Sequence, residues 1–297
     1  MGVTALSSEA TPSPYRGRFA PSPTGPLHMG SLYTALASFL DARHHRGSWQ
    51  LRIDDIDPPR AVAGSVERIL AALRAHGLFW DGQVIYQSQS ADAFERALEQ
   101  LWQSGTLFRC RCTRADLKKT GTCGQACVSK QHPDDDAHSV RVSVDRSLLP
   151  DFEDTFLGPQ VVTVEALPED FIVKRRDGLF AYQLAAAIDD ALPHFNHIVR
   201  GKDLLDSTHR QRWLQAALGL NSPHYAHVTL LYGADGHKLS KQNGASEVNL
   251  DQAANNLRQC LEQLHQAPPP ASARNVQEIL EHAIAQWSPP VPSAQCS

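Results

Sequence analysis

RGRFAPSPTGPLHMGS, residues 16–31, decides how the rest of the chain is read. Arg18, Phe19 and Ala20 suit a short strand, Pro21, Pro23, Gly25 and Pro26 break it, and His28 and Gly30 stand where an apolar-periodic helix begins. That order suits a phosphate site, because the first turn of a helix offers unpaired backbone N–H groups and about half a positive charge. A glycine there lets a flat base lie on bare backbone, and an imidazole beside it donates to phosphate oxygens. Taken alone, His-x-Gly fits a helix cap with an incidental histidine equally well, so the other segments must decide.

Working outward, Leu32, Leu36, Phe39 and Leu40 recur at helical spacing up to a stop at Gly47, which predicts an amphipathic helix. Trp49, Leu51 and Ile53 then alternate with Ser48, Gln50 and Arg52, the period of a strand. Strand, helix and strand make the βαβ unit of a doubly wound nucleotide fold, whose ligands sit beyond the carboxyl ends of the strands. Asp54, Asp55 and Asp57 fall at such an end. They suit a solvated acidic turn before Pro58 as well as a carboxylate that holds a substrate ammonium group.

The 297 residues suffice for one elaborated domain or two modest ones. With 42% apolar and 20% charged residues the composition is that of a soluble globular protein. A formal net charge of -4 excludes a global basic field, so any nucleic-acid contact must come from local patches. No apolar run approaches the roughly 20 residues of a membrane helix, and residues 1–15 lack a signal-peptide core and read as a mobile tail. A cytoplasmic protein with no membrane partner is expected.

Four of the six cysteines cluster as Cys110-Arg-Cys112, ten residues, then Cys123-Gly-Gln-Ala-Cys127, while Cys260 and Cys296 stand apart. Two close thiol pairs of this kind can wrap one tetrahedral Zn²⁺, and without an open-site pattern the metal would be structural. Arg109, Arg111, Arg114, Lys118, Lys119 and Lys130 share the segment, as a solvated charge run or as contacts to a phosphate backbone. Alternating valines at 140, 142 and 144, followed by Val161, Val162 and Val164, predict additional strands. Helices are predicted around Val66, Ile69, Leu70 and Leu73, and around Phe94, Leu98, Leu101 and Trp102, closed by Gly77 and Gly105.

Tyr182 opens a helical run that reaches Asp189 and Asp190, and His197, Ile198 and Val199 form a strand that delivers Arg200 to its carboxyl end. A planar guanidinium fork at such a place suits a carboxylate. Further on, Thr229 to Gly236 suggests a hairpin, and Lys238, Ser240 and Lys241 a basic loop. Two short helices and a proline-rich tail complete the chain.

HMGS at 28–31 and KLSKQ at 238–242 together resemble the two signature sequences of the class I aminoacyl-tRNA synthetases. With GRFAPSPTGPLHMGS, RIDDID, DGLFAYQLA, HIVRGKDL and HKLSKQNG in order between about residues 16 and 250, the chain is similar to the glutamyl-tRNA synthetase branch. Fewer than 60 residues follow, too few for that branch's anticodon-binding domain, and the resemblance narrows to its stand-alone catalytic paralogues.

The resemblance implies an α/β fold: a Rossmann-like doubly wound parallel sheet split by a zinc-binding, mixed α+β insertion, with a short helical C-terminal extension. The expected division is a tail at 1–15, catalytic halves at 16–107 and 196–250, an insertion at 108–195 and an extension at 251–297. The implied activity is ATP-dependent, tRNA-independent activation of L-glutamate, followed by transfer to the queuosine base of queuosine-modified tRNA(Asp), by a monomer. A truncated enzyme charging tRNA(Glu) and an idle tRNA-binding paralogue are the alternatives.

The resemblance also implies roles. His28 and Lys241 would be catalytic, and His28, Gly30, Ser31, Lys238, Ser240 and Lys241 would hold ATP. Arg18, Phe19, Ala20, Pro21, Ser22, Asp54, Tyr182 and Arg200 would hold glutamate, Arg18 and Arg200 through its carboxylate and Asp54 through its ammonium group. Asp54 stands where the family usually has Glu, and Cys123 stands where the paralogues often have Tyr. Cys110, Cys112, Cys123 and Cys127 would be the Zn²⁺ ligands. Mg²⁺ would accompany ATP, without an identifiable protein ligand.

Overall fold

The structure of the chain is a computed structural model that describes residues 14–113, 115–117, 123, 125–130, 132–133, 137–149, 151–231 and 246–290. β1 (Arg16–Phe19), α1 (Met29–His44) and β2 (Ser48–Ile53) follow one another as the opening stretch predicts, and the strands pair in parallel with Phe19 opposite Leu51. After α2 (Ser65–Ala75), the short β3 (Ile85–Tyr86) extends the parallel sheet beyond β2. α3 (Ala91–Gln103) leads out of it into β4 (Leu107–Cys110), α4 (Gln125–Lys130) and β5 (Ser139–Ser143).

β6 (Phe152–Asp154) and β7 (Gly158–Gln160) form an antiparallel hairpin, and β8 (Asp170–Lys174) completes a separate antiparallel sheet in the order β4-β5-β8. α5 (Tyr182–Ala191) returns the chain to β9 (His197–Gly201). Then come α6 (Leu205–Ala217), β10 (His224–Val228), which is parallel to β9, α7 (Ala253–Gln263) and α8 (Val276–Ala285). β9 lies beside β1 on the edge opposite β2: Asn196 N donates to Arg16 O at 2.9 Å and Arg16 N to Asn196 Oδ1 at 2.7 Å. Connectivity therefore switches from one side of β1 to the other, and in doubly wound sheets such a switch leaves a crevice at the strand ends.

Two cores result. One packs α1, β1 and β2 with α7 and α8 around Leu32, Leu36, Leu40, Trp49 and Leu257; the other packs α3, α5 and α6 on the antiparallel sheet around Phe94, Val142, Leu184 and Trp213. α1 departs from the amphipathic pattern expected of it, with Ala35 and Ala37 as buried as Leu36, because α7 and α8 cover the face that the sheet does not. Arg52, placed by alternation opposite the apolar face of β2, is also buried, since a parallel sheet is covered on both sides.

Tyr15 is no part of a mobile tail. It is 7% exposed, stacks on His197 and donates to Asp41 Oδ2 at 2.5 Å. Gly47 explains this approach: a Cβ there would collide with the Tyr15 carbonyl oxygen. The left-handed residue ending α1 is Arg46, at φ 54°, so Gly47 serves close packing rather than the helix stop. The strand expected at Val161 to Val164 ends instead at Gln160; Val161 and Val164 are exposed and pair with no strand among the described residues.

Candidate active site

At the crevice beyond β1 and β9 lies a cavity of about 340 Å³. Its wall includes Arg18, Phe19, Ala20, Pro21 and Ser22 from the end of β1, His28, Gly30 and Ser31 from the start of α1, Asp54 after β2, Tyr182 at the start of α5, and Arg200 on β9. Every described residue that the sequence proposes for glutamate or ATP thus meets at one place. Lys238, Ser240 and Lys241 lie outside the described residues.

His28 is the N-cap of α1, with extended backbone at φ −113°, ψ 170°. Its Nδ1 accepts from Ser31 N at 3.2 Å and its Nε2 lies 2.9 Å from Ser31 Oγ. Both interpretations of the histidine therefore apply: it caps the helix and it faces the cavity. Glu247 forms a bridge to His28, and Val248 N donates to Leu27 O at 3.0 Å, so the described chain resumes against this turn.

Beneath the cavity floor runs a buried charge network. Arg18 donates through Nε and Nη2 to Asp190, at 3.1 and 2.8 Å, and Arg52 Nη1 donates to the same carboxylate at 2.7 Å. Arg52 also grips Asp54 through Nε at 2.7 Å. Burial would push the Asp190 carboxyl up, but the Arg18 and Arg52 guanidiniums overcome it and hold the group well below the usual carboxylate range. At Asp54 burial wins and the pKa is raised against the pull of Arg52. The neighbouring Asp189, bonded by Gln87 Nε2 at 2.7 Å, is pushed up to about 6 by burial.

The acidic turn divides its labour. Of its three aspartates Asp54 alone faces the cavity; Asp55 accepts from Ser88 N and Oγ, and Asp57 pairs with Arg60 and Arg175.

Arg200 is different from Arg18. It is 3% exposed and has no carboxylate within ion-pair distance among the described residues. Nε donates to His227 Nε2 at 3.1 Å and Nη2 to Thr208 Oγ1 at 2.7 Å, while Nη1 is buried with no hydrogen-bond partner. Tyr182, 38% exposed, stands at the mouth of the cavity.

Asp190, Arg52, Thr208 and His227 escaped sequence reading as site residues. The signal for two of them was available: adjacent aspartates inside the apolar run AAAIDDA, and an arginine inside a buried strand, each demand a buried counter-charge.

The cysteines converge as their spacing predicts. Cys110, Cys112, Cys123 and Cys127 have sulfur atoms all within 4.8 Å of one another, with neighbouring pairs at 3.3, 3.5 and 3.6 Å, beneath Phe108, Leu117 and Val128. Tetrahedral thiolates at about 2.3 Å from Zn²⁺ are roughly 3.8 Å apart, so these three pairs lie within about half an ångström of the spacing the ion needs. Of the basic run, Arg109 lies over the Trp102 ring and Lys130 is exposed; Arg114, Lys118 and Lys119 lie outside the described residues.

The family model for tRNA synthetases class I (E and Q), catalytic domain, matches residues 15–263. Curated relatives named glutamyl-Q tRNA(Asp) synthetase include one from Xanthomonas campestris pv. campestris, 47% identical over 93% of this chain and 92% of its own length. Another, from Acinetobacter baylyi, is 42% identical over 92% of each. Among solved structures, glutamate-tRNA synthetase from Elizabethkingia anophelis superposes with a TM-score of 0.73 at 26% identity, covering 93% of this chain. The glutamate tRNA ligase from Elizabethkingia meningosepticum, solved in complex with its amino acid, gives 0.72 at 24%. The chain spans 66% and 64% of those two solved chains. On fold, site and likeness together, the chain belongs to the class I aminoacyl-tRNA synthetases, a family of ligases, in the group of the glutamyl-Q tRNA(Asp) synthetases.

Proposed function

We propose that the chain activates L-glutamate with ATP to glutamyl-adenylate without tRNA, and then transfers glutamate to the queuosine base in the anticodon loop of tRNA(Asp). The observation that carries the first half is Arg200. A buried guanidinium with an orphaned donor and, among the described residues, no carboxylate within ion-pair distance costs several kcal/mol unless a ligand supplies one. Glutamine, whose side-chain carboxamide is neutral, leaves that cost in place where Arg200 receives the side-chain carboxylate, which accounts for selectivity.

In this reading Arg18, set by Asp190, lines the carboxylate pocket with Arg200, and Asp54, set by Arg52, takes the ammonium group. Phe19 to Ser22 shape the floor and Tyr182 closes the mouth. A carboxylate oxygen of glutamate attacks the α-phosphorus, and the bond to pyrophosphate breaks, carrying its electron pair away. His28, the N–H groups around Gly30 and Ser31, and Lys241 would stabilise the charge that builds on the phosphate oxygens. Leu231 lines the cavity and Glu247 bridges His28, so both described ends of the chain around 232–245 lie at this site, which supports reading Lys238, Ser240 and Lys241 as ATP contacts. A hydroxyl of the modified base would then attack the acyl carbon and release AMP.

Mg²⁺ would travel with ATP. Zn²⁺ held by the four cysteines would be structural, tying the end of β4 to α4. We read 108–195 as the insertion between catalytic halves, and its basic residues as contacts to tRNA phosphates.

The test supplies ATP and labelled glutamate with queuosine-containing tRNA(Asp), unmodified tRNA(Asp) and tRNA(Glu). Label on the first alone is expected. Label on tRNA(Glu) would instead select ordinary charging, and absence of glutamate-dependent pyrophosphate exchange without tRNA would reject the first step.

A further inference from the structure

Behind Arg200 lies a second buried relay that reaches out of the parallel sheet into the β6–β7 hairpin. Asp154, at the end of β6, is 1% exposed. Its Oδ1 accepts from the backbone N–H groups of Phe156, Leu157 and His227, at 3.0, 2.9 and 3.1 Å. Its Oδ2 lies 2.5 Å from His227 Nδ1, and His227 is fully buried on β10. The other nitrogen of that ring, Nε2, is the acceptor for Arg200 Nε and lies 2.9 Å from Thr208 Oγ1.

The proton positions follow from these contacts. Three backbone N–H groups donate to Asp154, whose pKa is lowered against burial by His227 and by these bonds; ionised, it can only accept, so His227 Nδ1 must carry a hydrogen. Arg200 can only donate, so His227 Nε2 must be bare. The ring is thus neutral, which burial also favours.

We propose that Asp154 and His227 are positioning residues for Arg200: Asp154 fixes His227 as the Nδ1–H tautomer, and the bare Nε2 sets the guanidinium that receives the amino-acid carboxylate. The proposal rests on the reading of Arg200 given above. It makes the hairpin, distant in sequence from the phosphate turn, part of the amino-acid pocket.

Protonation of His227 puts an N–H against the Arg200 N–H and a positive charge beside the guanidinium, so glutamate affinity falls as pH drops below the ordinary histidine value of about 6.5. The charged and titratable groups facing His227 are Arg200 on β9, Asp203 in the turn after it, Asp154 on β6 and Tyr225 on its own strand; α6 contributes the Thr208 hydroxyl. Tyr225, pushed up to about 12 by burial, stays neutral throughout. Asp189, pushed up to about 6 by burial, also titrates on the acid side but draws its shift from burial, Arg52, Gln87, Ser90 and Asp54 rather than from His227, so a comparison of variants isolates the imidazole.

Glutamate-dependent pyrophosphate exchange is measured from pH 5 to 8 for the wild type, Arg200→Ala, His227→Gln and Asp154→Asn. In Asp154→Asn the amide donates to Nδ1 and drives the hydrogen to Nε2, against Arg200. Glutamate KM is expected to rise about tenfold at every pH, with ATP KM within about twofold, a split that general loosening would not produce. The His227→Gln variant keeps an acceptor for Arg200 but does not titrate: KM near that of wild type at pH 8 and no acid-side rise are expected.

The ¹⁵N shifts of His227 in the unliganded wild type supply a readout independent of catalysis and of variant folding, and the Nδ1–H form is expected. An Nε2–H form, or Asp154→Asn with unaltered glutamate KM, would overturn the relay. If Arg200→Ala leaves glutamate KM unchanged, it is the amino-acid reading that falls, while the tautomer still decides the relay.

Discussion

Asp190 holds two arginines with one carboxylate, and this sharing governs what substitution does at the floor of the site. Asp190→Asn keeps the volume but leaves Arg18 and Arg52 buried and facing one another, so unfolding free energy in urea is expected to fall by about 3 kcal/mol. His28→Ala removes a helix cap, which costs about 1 kcal/mol, and a donor to the reacting phosphate, which costs about a hundredfold in pyrophosphate exchange. The two losses separate, because denaturation reads only the first. At this scale the motif residues were legible: His28, Asp54 and Arg200 fall where strand-end and helix-start logic puts them, and Arg18, read from the family resemblance alone, lines the same cavity. Their partners were not. Asp190 is 172 residues from Arg18, and nothing in local periodicity encodes which distant carboxylate a buried arginine finds.

The elements are tied together at points where side chains are missing or titrate. Gly77 ends α2 at φ 69°, and a Cβ there would meet Val276 Cγ1 at 2.7 Å and Leu280 Cδ1 at 2.8 Å on α8. Gly77→Ala therefore combines left-handed strain with a clash, and a loss of about 2 kcal/mol in urea denaturation is expected. At the start of β9, His197 is stacked between Tyr15 and His224. Burial, with His224 and His45 nearby, lowers its pKa to about 4. The unfolded chain, with a value near 6.5, binds more protons between those limits, so stability is full above about pH 6.5 and is lost as pH falls toward 4. His197→Phe keeps the stacking without the charge; its urea midpoint is expected to fall less than that of wild type over this window. The helix and strand positions were readable from periodicity, whereas the all-round burial of α1 was not, because it depends on α7 and α8 arriving more than 200 residues later.

For the whole molecule, the two cores, the second of which contains the antiparallel sheet, raise the question of what keeps that sheet in register with the site. The β6–β7 hairpin does so on one side, through Thr155 N donating to Tyr225 O at 2.8 Å. The cysteine cluster stiffens the other. Freshly purified protein is expected to carry about one zinc per chain, and a strong chelator to lower the melting temperature while leaving the geometry around Asp190 intact, as read by glutamate KM.

The shared carboxylate also carries a consequence for synthesis. Arg52 precedes Asp190 by 138 residues, and at the usual pace of translation, about 5–20 residues per second, the nascent chain carries both arginines without their counter-ion for on the order of ten seconds. Until α5 leaves the ribosome, Arg18 lacks its carboxylate altogether and Arg52 has only Asp54, so the first βαβ unit carries an uncompensated cation at its heart. The pocket thus closes only after α5 has joined the first βαβ unit, and in refolding the return of pyrophosphate exchange should trail the return of helical circular dichroism.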